Sequence, residues 1–480
     1  MQKDSLDFSE EQFKTLLEKS TELVLKQHKN LDQLKGYNDF TQKEVSSWFD
    51  EELPDQGMSA ELVLNEVEKK VLDSATGNLG PHMYAYVMSG GNQMAIIAEK
   101  LATTINQNQT KWHLAPALNE IEKRVIAWTA KLLDFPKDAG GVLVSGGSAA
   151  NLTGLTVGRN IFFEKMGIRK TGLFGQKPFV VYASEEVHSC VDKSVELLGI
   201  GTNHLRKIET DSNFKIRIDT LEAQINKDSN DGLQPFCIIG NAGTVNTGAI
   251  DDLEALANLS EKYKLWYHVD GAYGALAGIL DNLKPEYKGM EKADSIALDF
   301  HKWLYVPFEG GCTMVRGWDK LRRSYFKQAA YLDTELANDG NRLEYNEHYF
   351  QLSRNSKAFK VWMTIKTYGM KRIRAMIQKD IDLTNYLNDL VRASDDFELV
   401  ADSKLAVSCF RYIGNMTNLN QITEFNKRLM PKLEKDGRVF IMGTSLKGAY
   451  AIRACFINHR KTKETTKYLL EVIRDVAQKM

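Results

Sequence analysis

At 480 residues, with 43% hydrophobic and 26% charged side chains, the chain has the composition of a globular protein of two or three domains and is too long for one simple core. Its 62 basic residues nearly cancel 63 acidic ones, for a net charge of −1, which excludes a chain built as a whole to bind nucleic acid or an anionic membrane. No apolar stretch reaches transmembrane length, Met1 to Asp7 is polar, and the five cysteines (Cys190, Cys237, Cys312, Cys409 and Cys455) show no Cys-x-x-Cys spacing, so we expect a cytoplasmic chain with reduced core thiols and no metal site.

From Ser9 to Leu72 the pattern is that of amphipathic helices. Ser9-Glu10-Glu11-Gln12 has the form of a capping box, and Phe13, Leu16, Leu17, Val24 and Leu31 recur at roughly helical spacing. Gly77-Asn78-Leu79-Gly80-Pro81 is a break. Helices are expected over Asn92 to Ile105 and Leu118 to Leu133. Strand-like runs then alternate with helical ones, at Gly141–Val144, Phe179–Ala183, Phe236–Ile239, Leu265–Val269, Ser295–Leu298 and Phe308–Val315. That alternation predicts an α/β fold with a mostly parallel sheet. A helix over Ala358 to Tyr368 leads out of it. Strands at Leu405–Tyr412, Arg438–Met442 and Ala449–Phe456 then predict a small α+β C-terminal domain. The expected division is 1–89, 90–370 and 371–480.

The chemistry is concentrated at the ends of the expected strands. One apolar run closes on Asp270 and another on Asp299-Phe300-His301-Lys302. In α/β folds ligands bind at the carboxyl ends of strands, so Asp270 and Lys302 point to one edge. An amine that can bond to an aldehyde carbon, with a carboxylate to keep a pyridinium nitrogen protonated, is what pyridoxal phosphate (PLP) chemistry requires. Ser145-Gly146-Gly147-Ser148-Ala149-Ala150 joins a strand to a helix. It is either an ordinary turn or a phosphate cradle; without Gly-Lys-Ser/Thr it is not an ATP-type loop.

Five segments carry a family resemblance: SGGSAANLTGL from Ser145, SEEVHSC from Ser184, GTVNTGAIDDL from Gly243, HVDGAYGA from His268 and DFHKW from Asp299. In this order and spacing the chain resembles the group II PLP-dependent amino-acid decarboxylases over about Gly77 to Arg460, closest in pattern to the aromatic-L-amino-acid branch. The resemblance implies the type I PLP-enzyme (aspartate aminotransferase-like) fold, a homodimer packed through the N-terminal segment, and pyridoxal 5'-phosphate as cofactor. It implies cofactor contacts from Lys302, Ala149, Ala150, His188, Thr244, Asp270, Asp299 and His301, with His188 stacked on the ring. Tyr331 matches the tyrosine that returns a proton after CO2 leaves, ahead of a polar stretch, Thr334 to Arg342, that reads as a loop. Tyr86, Ser89, Trp112, His188 and Arg354 match substrate-side positions. The family often has Pro or Ala where Phe300 stands, and an acid at Asp299 is electrostatically odd beside a phosphate.

The resemblance leaves the substrate open. Tyr86, Ser89 and Trp112 favour an aromatic amino acid, whereas Asn108 and Thr110 stand where apolar side chains are found in animal aromatic enzymes and suit a hydroxylated ring, an acidic side chain or a diamine. Rival readings are another PLP reaction on the same fold (aldehyde synthesis or carbon–carbon lysis) and a non-catalytic binding protein. Tyr331 argues against aldehyde synthesis, and the intact Lys302, Asp270 and His188 argue against the binding protein.

Overall fold

The structure, a computed structural model, describes residues 5–327 and 342–480. The N-terminal segment folds as helices α1 (Glu10–Gln27), α2 (Gln42–Trp48) and α3 (Ala60–Val67). The Ser9 capping box forms: Ser9 Oγ accepts the Gln12 N–H at 3.2 Å and Gln12 Oε1 accepts the Ser9 N–H at 3.3 Å, satisfying two amides at the helix start. Leu23 is the only buried residue of α1, while Phe13 and Leu62 stay more than half exposed. This apolar face is therefore uncovered in a single chain. Two long helices follow, α4 (Gln93–Ile105), capped by Asn92, and α5 (Pro116–Leu132).

The next elements are β1 (Gly140–Val144), α6 (Gly147–Phe162), α7 (Ile168–Thr171), β2 (Phe179–Ser184), α8 (Cys190–Leu197), β3 (Leu205–Ile208), α9 (Ile218–Asn230), β4 (Gln234–Asn241), α10 (Leu253–Tyr263), β5 (Trp266–Asp270), β6 (Ser295–Asp299), α11 (Phe300–Trp303) and β7 (Gly311–Val315). Among the described residues these strands form one sheet in the order β1-β7-β6-β5-β4-β2-β3. From β3 to β6 the neighbours are parallel; β7 runs antiparallel to both β6 and β1. β1, β2, β5, β6 and β7 are buried along their whole length, as helices on both faces require, and this is why they read as continuous apolar runs. The register sets Asn241 beside Asp270 and Asp270 beside Ala297, so β4 and β5 end level and β6 runs on to Asp299 at the same edge.

Beyond α12 (Trp318–Tyr325) and α13 (Tyr345–His348), α14 runs from Lys357 to Arg392. The expected stop near Tyr368 is a kink instead: Gly369 takes a φ of 68°, which a residue without Cβ adopts freely, and the helix resumes. A second, antiparallel sheet has the order β10-β11-β9-β8, from β8 (Phe397–Ala401), β9 (Val407–Tyr412), β10 (Met442–Leu446) and β11 (Ala449–Cys455), with α15 (Leu419–Asp436) and α16 (Lys463–Gln478) packed on it. The strand expected at Arg438–Met442 begins only at Met442. The apolar residues before it bond to the N-terminal segment: Phe440 N–H donates to His82 O, and Phe440 O accepts from Tyr84 N–H. Among the described residues no helix is long and apolar enough to cross a membrane.

Candidate active site

A cleft of about 590 Å³ opens at the carboxyl ends of β4, β5 and β6, with Tyr86, His188, Thr244, Asp270 and Lys302 in its walls. One end is the head of α6. Its N-cap, Gly146, makes no side-chain capping bond, and the first intrahelical bond is Ala150 N–H to Gly146 O at 2.9 Å. The amides of Gly147, Ser148 and Ala149 thus precede the helical ladder and are free to meet an anion, with the helix dipole in its favour. Close packing explains the glycines. A Cβ on Gly147 would lie 2.8 Å from Ala272 Cβ and 2.9 Å from Asp299 Oδ2, and one on Gly311 would lie 2.5 Å from Gly146 Cα.

Lys302 stands on α11, the single turn that follows β6. Its Nζ is 3.0 Å from Asp299 Oδ2. The turn is anchored from below: Trp303 Nε1 and Tyr305 Oη donate to Asp380 Oδ2 at 3.3 and 2.7 Å, and burial raises the Asp380 pKa to about 7. His301 Nδ1 accepts the Gly310 N–H at 3.2 Å, its Nε2 lies 3.5 Å from Asp299 Oδ2, and burial lowers its pKa, so the ring is neutral. Asp270, 7% exposed, accepts the Ala272 N–H at 3.1 Å through Oδ1, which fixes the carboxylate at the end of β5.

His188 follows β2 on the exposed side of the cleft. Its Nδ1 accepts the Cys190 N–H at 3.2 Å, so the neutral ring carries its proton on Nε2. Thr244 lies in the turn after β4, its Oγ1 3.0 Å from Thr247 Oγ1. The second sheet holds that turn in place. Arg453 on β11 donates from Nε to Val245 O at 2.8 Å and from Nη1 to Ala85 O at 3.0 Å, joining two walls of the cleft, and its buried Nη2 has no hydrogen-bond partner. The sequence reading passed over Arg453. Its signal was a lone cation inside the apolar run Ala449–Phe456, which at that depth must be paired or put to use.

Four expected contacts lie elsewhere. Ala150 is fully buried in a small apolar cluster, and its N–H is already used within α6. Ser89 is 4% exposed and donates its hydroxyl to His301 O at 2.8 Å, so it supports the Lys302 turn from behind. Trp112 bonds away from the cleft, through Nε1 to Glu120 at 3.0 Å. Arg354 donates to Glu122 Oε1 at 2.7 Å and to Leu143 O at 3.0 Å, with both charged side chains almost wholly buried. It is a structural ion pair. Arg354→Ala is expected to cost about 3–5 kcal/mol, because Glu122 would be left charged and unpaired, and denaturant unfolding measures this. Asn108 and Thr110 pack on the same segment, Asn108 Oδ1 accepting the Arg354 N–H at 3.0 Å and Thr110 O accepting the Asn346 N–H at 3.1 Å. Tyr331 lies outside the described residues.

A lysine amine, a fixed carboxylate one strand away, a histidine at the open side and a head of free amides fit pyridoxal phosphate in charge and size. Comparison with known proteins agrees. Residues 43–413 match the pyridoxal-dependent decarboxylase conserved domain. The chain is 31% identical over 479 residues to an aromatic-L-amino-acid decarboxylase of Bacillus atrophaeus, covering 99% of this chain and 98% of that protein. It is 31% identical to tyrosine decarboxylase 3 of Petroselinum crispum, over 84% of this chain and 80% of that one. The fold is that of the crystal structure of TDC from Oryza sativa with PLP and tryptamine, at a TM-score of 0.93 and 23% identity over 99% of each chain. The architecture is the type I PLP-enzyme fold.

Proposed function

We propose, from the premise that this chain belongs to the pyridoxal-dependent decarboxylase family, that it removes CO2 from an aromatic L-amino acid and releases the corresponding amine. PLP-dependent decarboxylation of an amino acid follows from the family; the aromatic class and the residue roles are our reading. The observation that carries the aromatic class is the cleft mouth, where Tyr86 (51% exposed) and Phe308 (56% exposed) stand uncovered. Among the described lining residues the only basic side chains are Lys302, His188 and His301. A second carboxylate on the substrate would meet Glu309 instead of a spare cation, which disfavours glutamate, aspartate and cysteine sulfinate. Glu309 favours one alternative, a diamino acid whose distal ammonium it could hold, although it also pairs with Lys357 at 3.1 Å.

Bound in the cleft, the cofactor's ring supplies an electron sink for the bond that breaks at the substrate Cα. Lys302 would supply the amine that holds the cofactor, Asp270 would keep a proton on its ring nitrogen, and the amides of Gly147, Ser148 and Ala149 would hold its phosphate. His188 would lie against the ring and orient the substrate, and Tyr331 or His188 would return a proton to Cα. The uncovered apolar face of α1 and α3 supports a homodimer, and five buried cysteines, all free, support a reducing, cytoplasmic setting.

CO2 release from a panel of tyrosine, tryptophan, DOPA, phenylalanine, glutamate, cysteine sulfinate and 2,4-diaminobutyrate tests the substrate class. Activity confined to the aromatic members is expected. Activity confined to the acids would refute the class, and activity on the diamine alone would transfer it to Glu309.

A further inference from the structure

Asp299 is the group the decarboxylase reading leaves unexplained. It is 3% exposed at the end of β6. Oδ2 faces Lys302 Nζ at 3.0 Å and His301 Nε2 at 3.5 Å, whereas Oδ1 is buried with no hydrogen-bond partner. The carboxyl also abuts the head of α6: a Cβ on Gly147 would touch Oδ2 at 2.9 Å, and one on Gly146 would lie 3.9 Å from Oδ1. An unsatisfied acceptor therefore sits where the free helix amides would hold a phosphate.

With the site empty, a carboxylate there is well placed, beside a helix N-terminus and an ammonium. A bound phosphate changes the balance. It brings about 1.5 to 2 negative charges into a buried space that already holds one. Two like charges so close cannot both persist, and an acid in that position takes up a proton. Once protonated, the carboxyl becomes a donor, and the free oxygen acquires a partner.

We propose that Asp299 binds the cofactor's phosphate as a neutral acid, so that filling the site takes up one proton from solvent. This rests on the decarboxylase reading, which puts a phosphate at the head of α6. The other titratable groups around Asp299 are few. His301 and Lys302 share its turn. Cys190 on α8 and Cys312 on β7 are thiols that burial pushes up, so both are neutral. Lys360 on α14, which acts on His301, is paired with Glu99 at 2.6 Å. Asp270 closes the neighbouring strand β5 and lines the same cleft, so His301 and Asp270 are the competitors for the proton.

Calorimetric titration of the cofactor-free protein with inorganic phosphate, in two buffers of different ionisation heat at about pH 8, counts the protons. At that pH free inorganic phosphate is mostly the dianion, its second ionisation lying about one unit above that of a phosphate ester. The expected count is about one per phosphate, with affinity falling about tenfold per pH unit as pH rises. PLP should compete with the phosphate. Asp299→Asn should take up no proton, bind phosphate with little pH dependence, and bind it more tightly than the natural protein at alkaline pH. Phosphate binding without proton uptake in the natural protein would overturn the proposal, as would uptake that persists in Asp299→Asn, which would place the proton on His301, Asp270 or the phosphate itself. A protein that binds neither phosphate nor PLP would defeat the decarboxylase reading itself, whereas a visible cofactor band with no proton linkage defeats only this proposal.

Discussion

Lys302→Ala should abolish amine formation and leave the fold in place. Only this side chain joins an amine, set on a rigid turn, to the cleft, and no other lysine is among the described lining residues. Loss of this amine removes the covalent capture of the cofactor on which every turnover depends. The turn should survive, because Trp303 and Tyr305 still hold Asp380 and Ser89 still holds His301 O. The check is turnover beside a thermal melt and a visible absorption scan. A variant that folds, loses the cofactor band and makes no amine is expected. A folded variant that turns over at the natural rate would refute the assignment of Lys302.

Asp270→Asn is the second large effect. The change keeps the size of the side chain, and the amide oxygen can still accept the Ala272 N–H, so the end of β5 should be preserved. What is lost is the negative charge opposite the ring nitrogen, and with it the ring's capacity as an electron sink. Removal of one such preorganised electrostatic partner typically costs about 10²- to 10³-fold in turnover. The signature is a fall in kcat with much of the cofactor binding retained, since the phosphate end and Lys302 are untouched. A loss of binding with unchanged kcat would make Asp270 a structural residue.

These two residues were legible because strand ends are legible. An apolar run that stops at a charged residue marks both the strand and the edge on which its last side chain stands, and β5 and β6 do this at Asp270 and Asp299. The Gly146-Gly147 turn was legible as small residues between a strand and a helix, and the structure supplies the reason: a Cβ on Gly147 would collide with Ala272 and Asp299, and one on Gly311 with the Gly146 backbone. Side chains that act through a distant partner were not legible. Nothing local to Arg354 reveals that Glu122 waits 232 positions earlier, and nothing near Ser89 reveals the carbonyl of His301. Arg453 was missed because its work is done on backbone oxygens from two remote turns. The missed strands β3 (Leu-Arg-Lys-Ile) and β8 (Phe-Glu-Leu-Val-Ala) are sheet edges. An edge strand carries charge on its open side, and the apolar run that marks a central strand is diluted. The segment before Met442 has that run but pairs with residues near Met83, a choice set by tertiary packing.

The most direct measurement is the stoichiometry of the reaction of the PLP-loaded protein with its best aromatic L-amino acid, following CO2, amine, ammonia and peroxide together. One amine per CO2, with no ammonia or peroxide and no activity without the cofactor, is the predicted result. Release of CO2 with aldehyde, ammonia and peroxide in place of amine, or no CO2 at all from a protein that shows the cofactor band, would contradict it.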